Sequence, residues 1–323
     1  ISAVMCSSSP PAIRNASKVS YVGEKFLKEI VGDFFLWDPV MPMSVRQETK
    51  VRYWGHDTHV IPNGISPDVY PENQEEDPEV DKPGLARRYG PGDNSVIEAK
   101  RANLVKFQRK TGLRVDADAI LLYWPSRLDP MQKGVDLLEK VAQKIVDAHP
   151  GVQIAVIGDP VGGDWHADVM GRIAFASRGM ICYQRFSQDL STLGYAAASD
   201  VFGASLYEPF GQIDVVGNIY GATATNRDTG GYSDKIIPLS LRAWGAPIDR
   251  GNGVLFRDYD ANGLAWGLET TIRHHRYFRE HPREWDKQMK RIMKEARQAW
   301  SLENMVAKYI TAYEEINGGK PLA

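Results

Sequence analysis

Three short stretches combine charged residues and glycines at spacings that could do chemistry. The first reads Ser126-Arg127-Leu128-Asp129-Pro130-Met131-Gln132-Lys133-Gly134, directly after an apolar run that ends at Trp124 and before a helical pattern. Arg127 offers a planar fork of donors, Lys133 a point charge, and the helix start exposed backbone N–H groups. Together they suit a diphosphate; the alternative is a pair of solvated surface cations. The second stretch is Ser205-Leu206-Tyr207-Glu208-Pro209-Phe210-Gly211-Gln212. A carboxylate at Glu208, between a strand pattern and a helix pattern, either accepts hydrogen bonds from sugar hydroxyls or caps the helix. The third, Arg227-Asp228-Thr229-Gly230-Gly231-Tyr232-Ser233-Asp234, pairs two glycines before a helix. There the backbone can approach an anion without a Cβ in the way, or simply turn.

These loops need a scaffold that brings them together. Residues 119–124, Val152–Ile157, 180–183, 201–204, 222–225 and Gly253–Phe256 are apolar runs that predict strands. Helical periods separate most of them, over Val135–Ala148, 167–177, 190–198 and 213–220. Uninterrupted apolar strands alternating with helices predict βαβ units, hence a Rossmann-like, doubly wound α/β domain with a parallel sheet covered on both faces. In such a sheet, ligands bind beyond the carboxyl ends of the strands, which is where all three loops fall. A helical tail follows over 264–279, 284–299 and 303–316.

Upstream, residues 96–110 predict a helix with Ile97, Leu104 and Phe107 on one face and Gly112 placed to end it. Residues 1–97 read as irregular. Candidate elements at 18–22 and Glu24–Val31 are followed by Pro39, Pro42, Pro62, Pro67 and Pro71, and the acidic stretch 72–81 reads as a surface loop. The expected division is an irregular segment 1–114, a Rossmann-like domain 115–300 and a C-terminal helix 301–323.

Composition narrows the function classes. The 323 residues are 43% hydrophobic and 25% charged, and 39 Lys and Arg nearly cancel 41 Asp and Glu. That balance excludes a whole-chain basic field for nucleic acid or anionic lipid. No run approaches the roughly 18 apolar residues of a membrane span. Two cysteines, Cys6 and Cys182, cannot build a disulfide framework and fit a reducing compartment, cytoplasmic or plastid stroma. The chain begins Ile1-Ser2-Ala3 with no signal-peptide anatomy, which reads as a processed or truncated product.

The motifs, taken in order, resemble the bacterial glycogen synthase and plant starch synthase family. Residues 126–134 resemble its S-R-L-x-x-Q-K-G segment, 205–212 its S-x-Y/F-E-P-C-G-L motif and 229–234 its T-G-G-L-x-D. Residues 16–30, 61–65, 100–113 and 299–313 are similar to further family segments, so the resemblance spans most of positions 16–315. It implies the C-terminal, donor-binding part of a two-domain GT-B glucosyltransferase that moves glucose from ADP-glucose or UDP-glucose to a glucan 4-hydroxyl with retention of configuration. Carried over by position, Arg127 and Lys133 bind the diphosphate and stabilise the leaving group, and Glu208 binds hydroxyls of the donor glucose. Backbone near Phe210, Gly211, Gln212, Thr229, Gly230 and Gly231 holds sugar and phosphates, while Tyr207 and the Gly158-Asp159-Pro160 turn border the nucleotide. No cofactor or metal is implied, and the partners are the nucleotide sugar and an α-glucan, with no nucleic acid and no membrane.

The chain also departs from the family pattern. Its K-x-G-G-L glycine loop and N-terminal histidine segment are absent, Phe210 stands where a Cys is usual, and Gln212 replaces a Leu. Two expectations follow: a fragment or split enzyme that needs a missing N-terminal domain or companion chain, or a catalytically silent nucleotide-sugar or glucan-binding module. Elsewhere, His56 and His59 have HxxH spacing but lack a third ligand. His274, His275 and His281 sit among arginines and read as a solvated helix face. Trp244, Trp266, Trp285 and Trp300 read as core packing, and Cys182 as a buried thiol in a strand.

Overall fold

The computed structural model describes residues 10–35, 40–239 and 250–320, so Cys6, Pro39 and Trp244 lie outside the described residues. The N-terminal part contains α1 (Pro10–Asn15), β1 (Val19–Tyr21), α2 (Glu24–Val31), α3 (Met43–Trp54) and β2 (Thr58–Val60). After two 3-10 turns come α4 (Val96–Thr111), β3 (Ile120–Trp124), α5 (Val135–Ala148), β4 (Val152–Ile157), α6 (Trp165–Ala176) and β5 (Ile181–Gln184). The chain continues through α7 (Gln188–Ala197), β6 (Asp200–Gly203), α8 (Ile213–Ile219), β7 (Thr223–Arg227), α9 (Gly230–Lys235) and β8 (Gly253–Phe256). Three helices close it: α10 (Ala261–Glu280), α11 (Pro282–Ala299) and α12 (Leu302–Ile316).

Strands β3 to β8 form one sheet in the order β5-β4-β3-β6-β7-β8, and every neighbouring pair is parallel. The run 120–124 shows why. All five residues are buried, and successive side chains point to opposite faces. Leu121 and Tyr123 join Phe107, Leu193, Ile219 and Met293 in one core. Ile120, Leu122 and Trp124 join Leu138, Met170 and Leu268 in the other. The winding reverses between β3 and β6, where Leu122 faces Asp200 and Tyr123 faces Val201. A doubly wound sheet opens a crevice at that switch point, beyond the carboxyl ends of the strands.

The N-terminal part is more ordered than its prolines suggest. β1 and β2 pair in parallel, and Ile13, Phe26, Ile30 and Phe35 build a separate small core with them. The prolines mark where elements start: Pro42 precedes α3, and Pro67 and Pro71 open the 3-10 turns. Helix α4, inside the expected irregular segment 1–114, packs against α7 and α11 on the sheet. At the other end, Ile65 N–H donates to Trp300 O at 2.8 Å, and His59 pairs with Glu315 at 3.3 Å, so α12 lies back against the N-terminal part.

Two expectations are corrected. His274 and His275 are buried rather than solvated, because α10 packs against α5 and β8. Trp266 is 52% exposed rather than in the core. Cys182 is buried as expected, and desolvation pushes its thiol up to about 12. Among the described residues no helix is long and apolar enough to cross a membrane, and no cluster of three His, Cys, Asp or Glu could hold a metal.

Candidate active site

A cavity of about 810 Å³ lies at the switch point. One wall comes from the loops after β3, β4 and β6, the other from Tyr21, Val22, Phe26 and Asn63 of the N-terminal part. The β3 loop is shaped by Asp129, whose Oδ1 accepts the N–H groups of Met131 at 2.9 Å and Gln132 at 3.1 Å. That turn sends Arg127 and Lys133 into the same cavity. Arg127 donates to Gln132 Oε1 at 3.2 Å, lies 3.8 Å from Asp129, and is 56% exposed. Lys133 is drawn inward, with 16% of its side chain exposed, and its Nζ donates to Glu208 Oε2 at 2.6 Å.

Glu208 is anchored at one oxygen. Oε2 also accepts from Ser205 Oγ at 3.1 Å and Tyr232 Oη at 3.3 Å. Oε1 makes no hydrogen bond among the described residues. The cap reading for Glu208 is not what forms: Gln212, not Glu208, holds the cap position of α8. Gly158 closes the floor, where a Cβ would stand 2.0 Å from Ser126 O, so the β3 and β4 loops touch only because the side chain is absent.

Tyr207, Phe210, Gly211 and Gln212 line this cavity. Phe210 is only 4% exposed: its ring lies 4.2 Å from Lys235 Nζ and 5.9 Å from Trp300, so its bulk goes mainly into packing. Below it, Lys235 and Asp214 form an ion pair at 3.3 Å, and burial pushes the Asp214 carboxyl up to about 6.

Thr229, Gly230 and Gly231 do not line the cavity, and the anion cradle expected there is already filled. Glu29 from α2 accepts Gly230 N–H at 3.0 Å and Thr229 Oγ1–H at 3.2 Å, while Gly231 N–H donates to Glu208 O at 2.8 Å. Gly230 has φ 46°, and a Cβ there would meet Glu208 O at 1.9 Å. The two glycines thus let this turn press against the Glu208 loop. They support the site from behind and do not touch a ligand's space. Tyr21, Phe26, Asn63 and Phe186 are among the cavity residues that the sequence did not single out as site residues. Phe186, at 54% exposure, presents an aromatic face at the rim. Nothing near Phe186 in the sequence distinguishes it from a surface loop residue.

No protein-family model matches the chain. The glycogen synthase of Anoxybacillus flavithermus is 26% identical over 308 residues, which cover 91% of this chain and 57% of that protein. The catalytic domain of starch synthase IV from Arabidopsis thaliana, solved bound to ADP and acarbose, superposes with a TM-score of 0.70 at 20% identity, over 94% of this chain and 59% of that one. The chain is glycogen/starch synthase-like. Anabaena HepE, solved in complex with UDP and glucose, shares the fold at a TM-score of 0.58 and 16% identity, over 96% of this chain and 68% of its own. The six-stranded parallel sheet and helical C-terminal end of this glycogen/starch synthase-like chain are those of a Rossmann-like GT-B lobe. It spans about half the length of the curated relatives it matches, 57% in one case and 48% in another.

Proposed function

We propose that this chain is the donor-binding half of a retaining α-1,4-glucosyltransferase acting on ADP-glucose or UDP-glucose and an α-glucan. One observation carries the reading: Arg127, Lys133 and Glu208, from loops after two different strands, open on one cavity at the switch point of the sheet. The diphosphate lies between Arg127 and Lys133. Lys133 keeps one N–H on Glu208 and turns the others to the phosphates. Glu208 Oε1, the oxygen without a partner, accepts a glucose hydroxyl, and Phe186 stacks on the base. When the bond from glucose C1 to the phosphate oxygen breaks, that oxygen keeps the electron pair, and the two fixed cations stabilise its charge. The glucan 4-hydroxyl oxygen forms the new bond to C1 on the same face and gives its proton to the departing phosphate oxygen. This division of labour needs no cofactor and no metal. Residues 115–300 carry Arg127, Lys133 and Glu208, and Tyr21, Val22, Phe26 and Asn63 of the segment 1–114 form the facing wall.

We infer that transfer also needs the K-x-G-G-L loop and histidine segment that the resemblance implies and that residues 1–323 lack, so binding and turnover separate. Titration calorimetry of the purified chain with ADP-glucose and UDP-glucose, beside a glucan-elongation assay, tests this. Donor binding that Arg127→Ala and Lys133→Ala each weaken by about tenfold or more, with negligible elongation, supports the reading. Absence of binding to either nucleotide sugar overturns it, and substantial elongation by this chain alone overturns the separation.

A further inference from the structure

A second cavity, of about 330 Å³, lies at the opposite edge of the sheet, where β3 and β6 begin. Its walls come from α4, α10 and the start of α11, and its floor from Ala119, Ile120 and Ser199. Three basic side chains line it: Lys100, Arg101 and Arg279. Asp118 is the one acidic side chain on the wall, and it pairs with Arg101 at 2.6 Å, both groups being more than half exposed. Arg279 forms no salt bridge among the described residues, although the Asp118 and Asp116 carboxylates act on it and it faces His275 across the same space. Lys100 is buried, its Nζ is held by Tyr220 O at 3.0 Å and Ala196 O at 3.2 Å, neither of which lines the cavity, and desolvation pulls its ammonium down to about 7.

Cations crowded around a concave space with too few carboxylates attract an anion, and burial strengthens that field. We propose that this cavity binds a small phosphate-bearing anion, clamped by Arg279 and Arg101. The guanidinium fork of Arg279 matches two phosphate oxygens, and Arg101 can turn from Asp118 to a third. Phe278 and Trp285 stack at 4.5 Å on the wall and give the rest of a phosphate monoester an apolar surface. Free phosphate and a phosphate monoester share this chemistry. The charge that holds the anion is independent of the donor site, because the two cavities lie at opposite ends of the strands.

The test uses the full chain carrying Arg127→Ala and Lys133→Ala, so that anions no longer bind at the donor cavity. Inorganic phosphate and glucose 1-phosphate are titrated separately by calorimetry. Binding of at least one probe is expected, weakened about tenfold or more by adding Arg279→Ala and likewise by Arg101→Ala. Tighter binding of glucose 1-phosphate assigns the site to a monoester, and equal or tighter binding of phosphate assigns it to the free ion. Both arginines are exposed, and unchanged melting curves confirm that each variant is folded. Absence of binding by both probes, or affinity that neither arginine substitution changes, overturns the proposal.

Discussion

Lys133 Nζ donates to Glu208 Oε2 at 2.6 Å, joining the loop after β3 to the loop after β6 across the switch point of the sheet. With Ser205 and Tyr232 on the same oxygen, the carboxylate is fixed by its back and presents Oε1 forward. In the proposed function the pair divides its work: the ammonium serves phosphate and the carboxylate serves sugar. Glu208→Gln is expected to leave ADP affinity within about threefold, and to abolish any gain in affinity from ADP to ADP-glucose. Lys133→Ala is expected to weaken both ligands alike, by about tenfold or more. Calorimetry of the two variants with both ligands distinguishes these patterns.

Gly158 is expected to tolerate no side chain. A Cβ would stand 2.0 Å from Ser126 O, which is backbone and cannot swing aside. Gly158→Ala should cost about 2 kcal/mol or more in urea unfolding and push the Arg127 loop out of place. Nucleotide affinity should fall with it.

Glu29 ties the N-terminal part to the sheet through Thr229 and Gly230. Glu29→Ala should leave those donors unpaired in a buried place and cost about 1–3 kcal/mol. Hydrogen exchange at Gly230 should speed up, while the strands β3 and β4 stay protected.

Much of the scaffold was legible before any coordinates. The runs Val152–Ile157 and Gly253–Phe256 and the helix Val135–Ala148 form with the bounds read from sequence, because strands buried on both faces are continuously apolar and their neighbours keep a helical period. Around the first ninety residues the signal fails for physical reasons. β1 and β2 are three residues each, too short for a period, and α3 leaves Val51 and Trp54 exposed, which blurs its face. Within the site, Arg127, Lys133 and Glu208 were legible because chemistry-bearing types stood in strand-end loops. The role of Thr229–Gly231 was not, since its partner Glu29 lies far away in the chain and only folding brings the two together. Phe186 escaped for the same reason: it is an ordinary residue until the crevice forms around it, whereas Asn63 stood in the family-like segment 61–65 without a role assigned to it.

Asp200 carries a pH prediction. It is fully buried at the start of β6, near Thr223, Thr225 and Thr271, and desolvation pushes its carboxyl up to about 7. The unfolded chain, with an ordinary carboxyl, loses this proton near pH 4, whereas the folded chain keeps it to about pH 7. Between those values the folded state binds more protons, so this group's contribution to stability is full below about pH 4 and is lost as pH rises to about 7. Asp200→Asn, which cannot ionise, should narrow the difference in melting temperature between pH 5 and pH 8. An unchanged difference would contradict the assignment.

A crystal structure of the chain with ADP-glucose tests the central claim most directly, read as the distance from Lys133 Nζ to the nearest phosphate oxygen. The account predicts about 3 Å, with Arg127 on the same diphosphate and a glucose hydroxyl on Glu208 Oε1. A nucleotide sugar seated away from both cations, or the cavity between the β3 and β6 loops left empty at saturating ligand, would contradict it.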